Sequence, residues 1–118
     1  MLFDFETFSR LVGRVYEEVR SYSLDDVLEV FRCYFQEYED ATGRPHPNIR
    51  LDQIRRMIQL MPYVSIDSIG GYFADIDPED YRYIIHQHFK TKYRNCDYNI
   101  NHFFSGRIRE LRYLETCY

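Results

Sequence analysis

Residues 23–43 read SLDDVLEVFRCYFQEYEDATG, and this stretch decides the fold. Leu24, Val27, Leu28, Phe31, Tyr34, Phe35 and Tyr38 recur three and four positions apart, which places them on one broad face of a helix. Asp25, Asp26, Glu29, Arg32, Gln36 and Asp40 take the other side. Ser23, with an acid three residues on, reads as an N-cap near the positive end of the helix dipole. Thr42-Gly43, followed by Pro45 and Pro47, supplies the stop.

The same period runs upstream, through Phe5, Phe8, Val12, Val15, Tyr16 and Val19, with Arg10, Arg14, Glu17 and Glu18 opposite and Asp4 placed to cap. Only Ser21 and Tyr22 separate the two stripes, so the spacing predicts an N-terminal αα-hairpin of antiparallel neighbours. Gly13 falls inside the first stripe at a cost of about 1 kcal/mol against alanine. Close approach of a neighbouring helix is the expected reason for it.

Downstream, Arg44-Pro45-His46-Pro47 is a stiff, extended connector. Leu51, Ile54, Met57, Ile58 and Met61 mark a third helix, ended by Pro62. Between Tyr63 and Ile76 a short alternation around Gly70-Gly71 fits either a small hairpin or an irregular loop. Asp77 as cap and Pro78 at the first position open a helix that buries Tyr81, Ile84, Ile85 and His88. Asp97 is the next cap, before Ile100, Phe103, Phe104, Ile108, Leu111 and Leu114, a run that Ser105-Gly106 is placed to split. The expectation is an all-α, compact single-domain bundle of about five or six helices spanning residues 1–118, with one irregular or hairpin insert.

The composition agrees. A chain of 118 residues with 45% hydrophobic and 29% charged residues folds, and as one domain rather than two. Cys33, Cys96 and Cys117 are odd in number and far apart, unlike the dense even set of a disulfide-stapled secreted domain. No apolar run approaches a membrane span, and Met1-Leu2-Phe3-Asp4 lacks the basic start of a signal peptide. The expected setting is cytoplasmic, with no membrane partner.

Motifs that carry chemistry fail on geometry. His86 and His88 stand two apart, a spacing that shares an ion on a strand but diverges by about 200° on a helix. No CxxC or HExxH occurs. A calcium loop beginning at Asp75 needs glycine sixth and glutamate twelfth, where Asp80 and His86 stand. Gly70-Gly71 lacks the lysine and hydroxyl of a phosphate loop. No metal, cofactor or catalytic residue is expected, and an enzyme with a site assembled by tertiary contacts is the least favoured reading.

Charge distribution says more. The formal net charge is −4, yet residues 1–43 carry ten acids against four bases while residues 44–118 carry eleven bases against nine acids. The acidic outer arc of the second helix, Asp25, Asp26, Glu29 and Asp40, suits a basic partner, although a plain solvated face is the simpler account. Tyr83, Tyr113 and Tyr118 fall off the apolar stripes, and exposed tyrosine near arginine favours protein interfaces. Arg109, Arg112 and Tyr113 are expected on one outer face. The primary expectation is a non-catalytic interaction or regulatory protein, an inhibitor or accessory factor of the kind mobile elements often encode, binding a larger protein through Asp25, Asp26, Glu29, Asp40, Tyr83, Arg109, Arg112 and Tyr113. The alternative is a DNA- or RNA-binding module using the basic face of residues 90–112, with Lys90, Lys92, Tyr93, Arg94, Arg109 and Arg112.

Overall fold

Helix α1 (Phe5–Tyr16) starts where Asp4 accepts hydrogen bonds from the Glu6 amide (3.2 Å) and the Thr7 hydroxyl (2.8 Å). Helix α2 (Leu24–Thr42) is capped by Ser23, whose hydroxyl accepts from the Asp26 amide, and ends at Gly43, which takes the left-handed φ of 70° that a side chain resists. The computed structural model describes residues 3–19, 21–66, 71–90, 96–105 and 107–116, without the Tyr72 side chain. Among these the chain forms six helices and one two-stranded antiparallel sheet. Its radius of gyration of 13.8 Å matches the roughly 13.5 Å of a close-packed chain this long.

The α1–α2 pair packs in antiparallel sense through aromatic rings. Phe8 meets Phe31 at 4.9 Å and Phe35 at 5.0 Å between centroids, both edge to face, while Phe5 lies farther along on Phe35. Helix α1 stops at Tyr16, a turn short of the end of its apolar stripe, yet Val19 is still buried. The buried stripe of α2 is Val27, Val30, Phe31, Tyr34, Phe35 and Tyr38, so Val30 replaces Leu24 and Leu28, which are half-buried. Gly13 corrects the expectation of close helix approach. A Cβ built there meets nothing within 4 Å, so the glycine serves no packing need.

Helix α3 (Leu51–Leu60) buries Ile54, Met57 and Ile58 and leaves Leu51 exposed. The following stretch is a hairpin. Strand β1 (Tyr63–Ile66) pairs with β2 (Tyr72–Asp75), with Val64 opposite Ala74 and Ser65 opposite Phe73. Gly71, at φ 70°, donates its amide to the Ile66 carbonyl. Helix α4 (Asp80–Lys90) begins after a turn over Asp77 and Pro78, in which the Asp80 carboxylate accepts from the Asp77 amide. It buries Tyr81, Ile84, Ile85 and His88. Helix α5 (Ile100–Phe103) is capped by Asn99 rather than Asp97, whose carboxylate accepts from the Asn99 amide instead. Helix α6 (Ile108–Thr116) follows the break at Ser105.

The main correction is in α6. Arg109, Glu110 and Arg112 are buried, and Leu111 is exposed. A single helical phase carried from Phe103 through Thr116 is wrong because α5 ends and α6 restarts with its own rotation. Arg109 turns inward because α3 ends beneath it. The last carbonyls of a helix have no internal partner, and Arg109 donates to the Leu60 carbonyl (2.5 Å) while Tyr81 and Tyr22 hydroxyls donate to the Met61 carbonyl (2.7 and 3.0 Å). A guanidinium at a helix C-terminus also meets the negative end of the dipole. The same Arg109 nitrogen reaches the Tyr81 hydroxyl at 2.9 Å and its carbon sits 5.2 Å from the Phe104 ring centroid.

Candidate functional site

The first turns of α4 stand as a ridge between two grooves. On one side, Pro78, Glu79, Tyr81 and Arg82 face Asp26, Glu29, Val30 and Cys33 of α2 across a groove of about 310 Å³. On the other, Asp80 and Tyr83 face Tyr113 and Thr116 of α6 across one of about 270 Å³. Tyr83 is 62% exposed, and the Arg82 guanidinium lies 5.8 Å from its ring centroid. Helix α4 can hold this ridge because Ile84, Ile85 and His88 anchor it in the core, and Tyr81, also buried, lines the α2-side groove.

The α2-side groove is acidic. Asp26, Glu29 and Glu79 line it against Arg82 alone, and Glu29 also holds Arg32 in a surface ion pair at 2.7 Å. Cys33 in its wall registers that environment. Burial first, then the Glu37 and Glu29 carboxylates, push its thiol up to about 11. A thiol so raised stays protonated near neutral pH and is a poor nucleophile.

The sequence-derived residues divide accordingly. Asp26, Glu29, Tyr83 and Tyr113 are brought to this ridge, while Asp25, exposed on the first turn of α2, lines neither groove. Asp40 is exposed but eleven residues beyond Glu29, roughly 16 Å along the helix, and is hydrogen-bonded by Gln36. Arg109 and Arg112 do not belong to an outer face. Arg109 ends α3, and Arg112 donates from Nε to His88 Nδ1 (3.3 Å) and pairs with Glu115 (3.0 Å). The nucleic-acid set loses both for that reason. Its Lys90 is exposed, and Lys92, Tyr93 and Arg94, like Cys117 and Tyr118, lie outside the described residues.

Sequence reasoning missed Glu79 as a wall of the site, since it reads as a helix-start acid, and missed the exposure of Tyr63 and Phe73. For the last two the signal was present. If residues 63–75 pair as a hairpin with Val64 and Ile66 inward, alternation turns Tyr63 and Phe73 outward. No family model, curated protein or solved structure gives a significant match to this chain. No cluster of metal-ligating side chains occurs among the described residues.

The titratable groups with strongly shifted behaviour are mostly in the core. His88 is pushed down to about 4 by burial, then by the Arg112 and His102 charges. His46 is lowered by burial, its Nε2 accepting from the Ile100 amide at 2.9 Å. Tyr81 is raised by burial to about 12, with Arg109 opposing. These groups hold the fold together and line neither groove of the ridge except for Tyr81 in the α2-side wall.

Proposed function

We propose that the protein is a non-catalytic interaction module that binds a basic surface on a larger protein through the α2–α4–α6 ridge, as an inhibitor or accessory factor. The observation that carries this reading is the convergence of Tyr83 and Tyr113, thirty positions apart, in one groove that shares the α4 ridge with the Asp26–Glu29–Glu79 groove. Carboxylates steer and register a cationic partner, and tyrosine adds apolar area, a hydroxyl and a ring face for arginine or lysine. What supports a non-catalytic role is the Cys33 thiol, the one thiol in the groove wall, which is shifted away from the nucleophilic thiolate. The free thiols of Cys33 and Cys96 support a reducing, cytoplasmic setting. No helix among the described residues is long and apolar enough to cross a membrane.

The test is affinity capture from the cell that makes the protein, run in parallel with Asp26→Lys/Glu29→Lys and Tyr83→Ala. A basic protein held by the parent chain, released by salt and lost with both variants is the expected result. Capture indifferent to both variants, or salt-sensitive binding of duplex DNA instead, overturns the reading.

A further inference from the structure

A second surface, chemically opposite to the first, lies where the hairpin meets α3 and α6. A hairpin packed on a core by one face normally shows a polar outer face. Here Tyr63 and Phe73 occupy it as a diagonal edge-to-face pair, 5.3 Å between centroids at 89°. Phe73 is 67% exposed, the most exposed large apolar side chain among the described residues. Beside the pair runs a groove of about 280 Å³ whose apolar walls are Leu60, Val64 and Phe104, together with the two rings.

Its charges are unbalanced. Glu110 lines the groove but is held by Arg107, Oε2 to Nε at 3.3 Å. Arg56 is exposed and makes no ion pair among the described residues. Arg109 is only 6% exposed, meets no carboxylate among them, and its Nε has no hydrogen-bond partner there. The direct contacts of this enclosed guanidinium are a carbonyl, a hydroxyl and a ring, and the acid of the groove, Glu110, is paired with Arg107.

We propose that this groove docks a segment of a partner polypeptide in which an aromatic side chain is followed by an acidic one. The ring enters between Phe104 and the Tyr63–Phe73 pair, where aromatic contact and exclusion of water supply the anchor. The carboxylate comes to the Arg56 and Arg109 side of the groove, where it makes a charge-assisted contact. Helix α3 contributes Arg56 and Leu60, α6 contributes Arg109, the two strands contribute Tyr63 and Phe73, and Phe104 comes from the C-cap of α5. The inference stands apart from the acidic ridge, and the two recognise opposite charge.

The test is a ¹H–¹⁵N titration of the full chain with three capped tetrapeptides: one holding phenylalanine then glutamate, one with glutamine for the glutamate, and one with alanine for the phenylalanine. The expected result is saturable shifts at residues 63–65, 73 and 107–110 with the first peptide, weakened about tenfold or more in each of the other two. Phe73→Ser and Arg56→Glu, both on exposed side chains, should each abolish those shifts while leaving the spectrum folded. Equal binding of the glutamine peptide overturns the inference, as do shifts at the α2–α4–α6 ridge instead, or no saturable shifts at all. Concentration-dependent shifts at the groove without peptide also overturn it, by showing that a second copy of the chain covers the face.

Discussion

Replacing Arg109 with methionine keeps most of the apolar stem and deletes the guanidinium. The structure assigns that group two hydrogen bonds, to the Leu60 carbonyl at 2.5 Å and the Tyr81 hydroxyl at 2.9 Å. Bonds from charged donors contribute about 1.5–3 kcal/mol each, so the gross loss is about 3–6 kcal/mol. Relief from burying a cation offsets part of it, leaving a net destabilisation of about 3 kcal/mol. An arginine on a solvated helix face changes stability by no more than about 0.5 kcal/mol when substituted. Urea denaturation of Arg109→Met, Tyr81→Phe and the double variant separates the two cases. Residues sharing one network couple by about 0.5–3 kcal/mol, and about 1 kcal/mol is expected here. A single-variant loss below about 0.5 kcal/mol with no coupling would refute the inward placement of Arg109 and restore the outer-face reading.

Three further outcomes follow from the packing and the buried rings. Gly13→Ala should stabilise the protein by about 1 kcal/mol in the same denaturation assay, since the added methyl meets nothing within 4 Å and removes a helix penalty; destabilisation would show a neighbour at that face. Phe31→Ala should cost about 3–5 kcal/mol through lost burial and a cavity, against well under 1 kcal/mol for exposed Asp25→Ala; equal losses would contradict the facing of α2. Acid should weaken the fold below neutrality. His88 is lowered from 6.5 to about 4, so the unfolded chain binds its proton first, and stability is full above about pH 6.5 and falls as pH drops toward 4. By pH 5 this group alone costs about 2 kcal/mol, and His46, lowered as well, acts in the same direction. A urea midpoint constant between pH 7 and 5 would mean that neither imidazole is held neutral.

The helices were legible where one amphipathic stripe met one cap. Ser23 and Gly43 bound α2 as expected, and α3 covers Leu51–Leu60 as its spacing predicts. Phase was lost where the backbone breaks, because periodicity reads rotation only within a continuous helix. Across Ser105 the stripe from Phe103 was extended into α6, which turned Arg109 and Arg112 outward and Leu111 inward, the reverse of the structure. No local pattern announces that Arg109 serves a carbonyl 49 positions away. Of the off-stripe tyrosines, Tyr83 is exposed as expected, whereas Tyr113 is half-buried and packs against the core rather than sharing an outer face with Arg109 and Arg112. An aromatic ring off the apolar face must be exposed or meet a distant element, and Tyr83 and Tyr113 line one groove. Glu79 and Arg82 joined Asp26 and Glu29 only through the packing of α4 on α2, a tertiary event.

The central claim is that the α4 ridge is the contact surface for a basic protein. A photo-crosslinking side chain in place of Tyr83, compared with the same group in place of Leu51 (exposed on α3 and away from the ridge), tests it in the cell. The account predicts a covalent adduct from position 83 only, to a partner whose crosslinked segment is rich in lysine or arginine, and its loss when Asp26→Lys and Glu29→Lys are added. An adduct from position 51 and none from 83 would contradict it, as would a position-83 adduct that persists through the charge reversal.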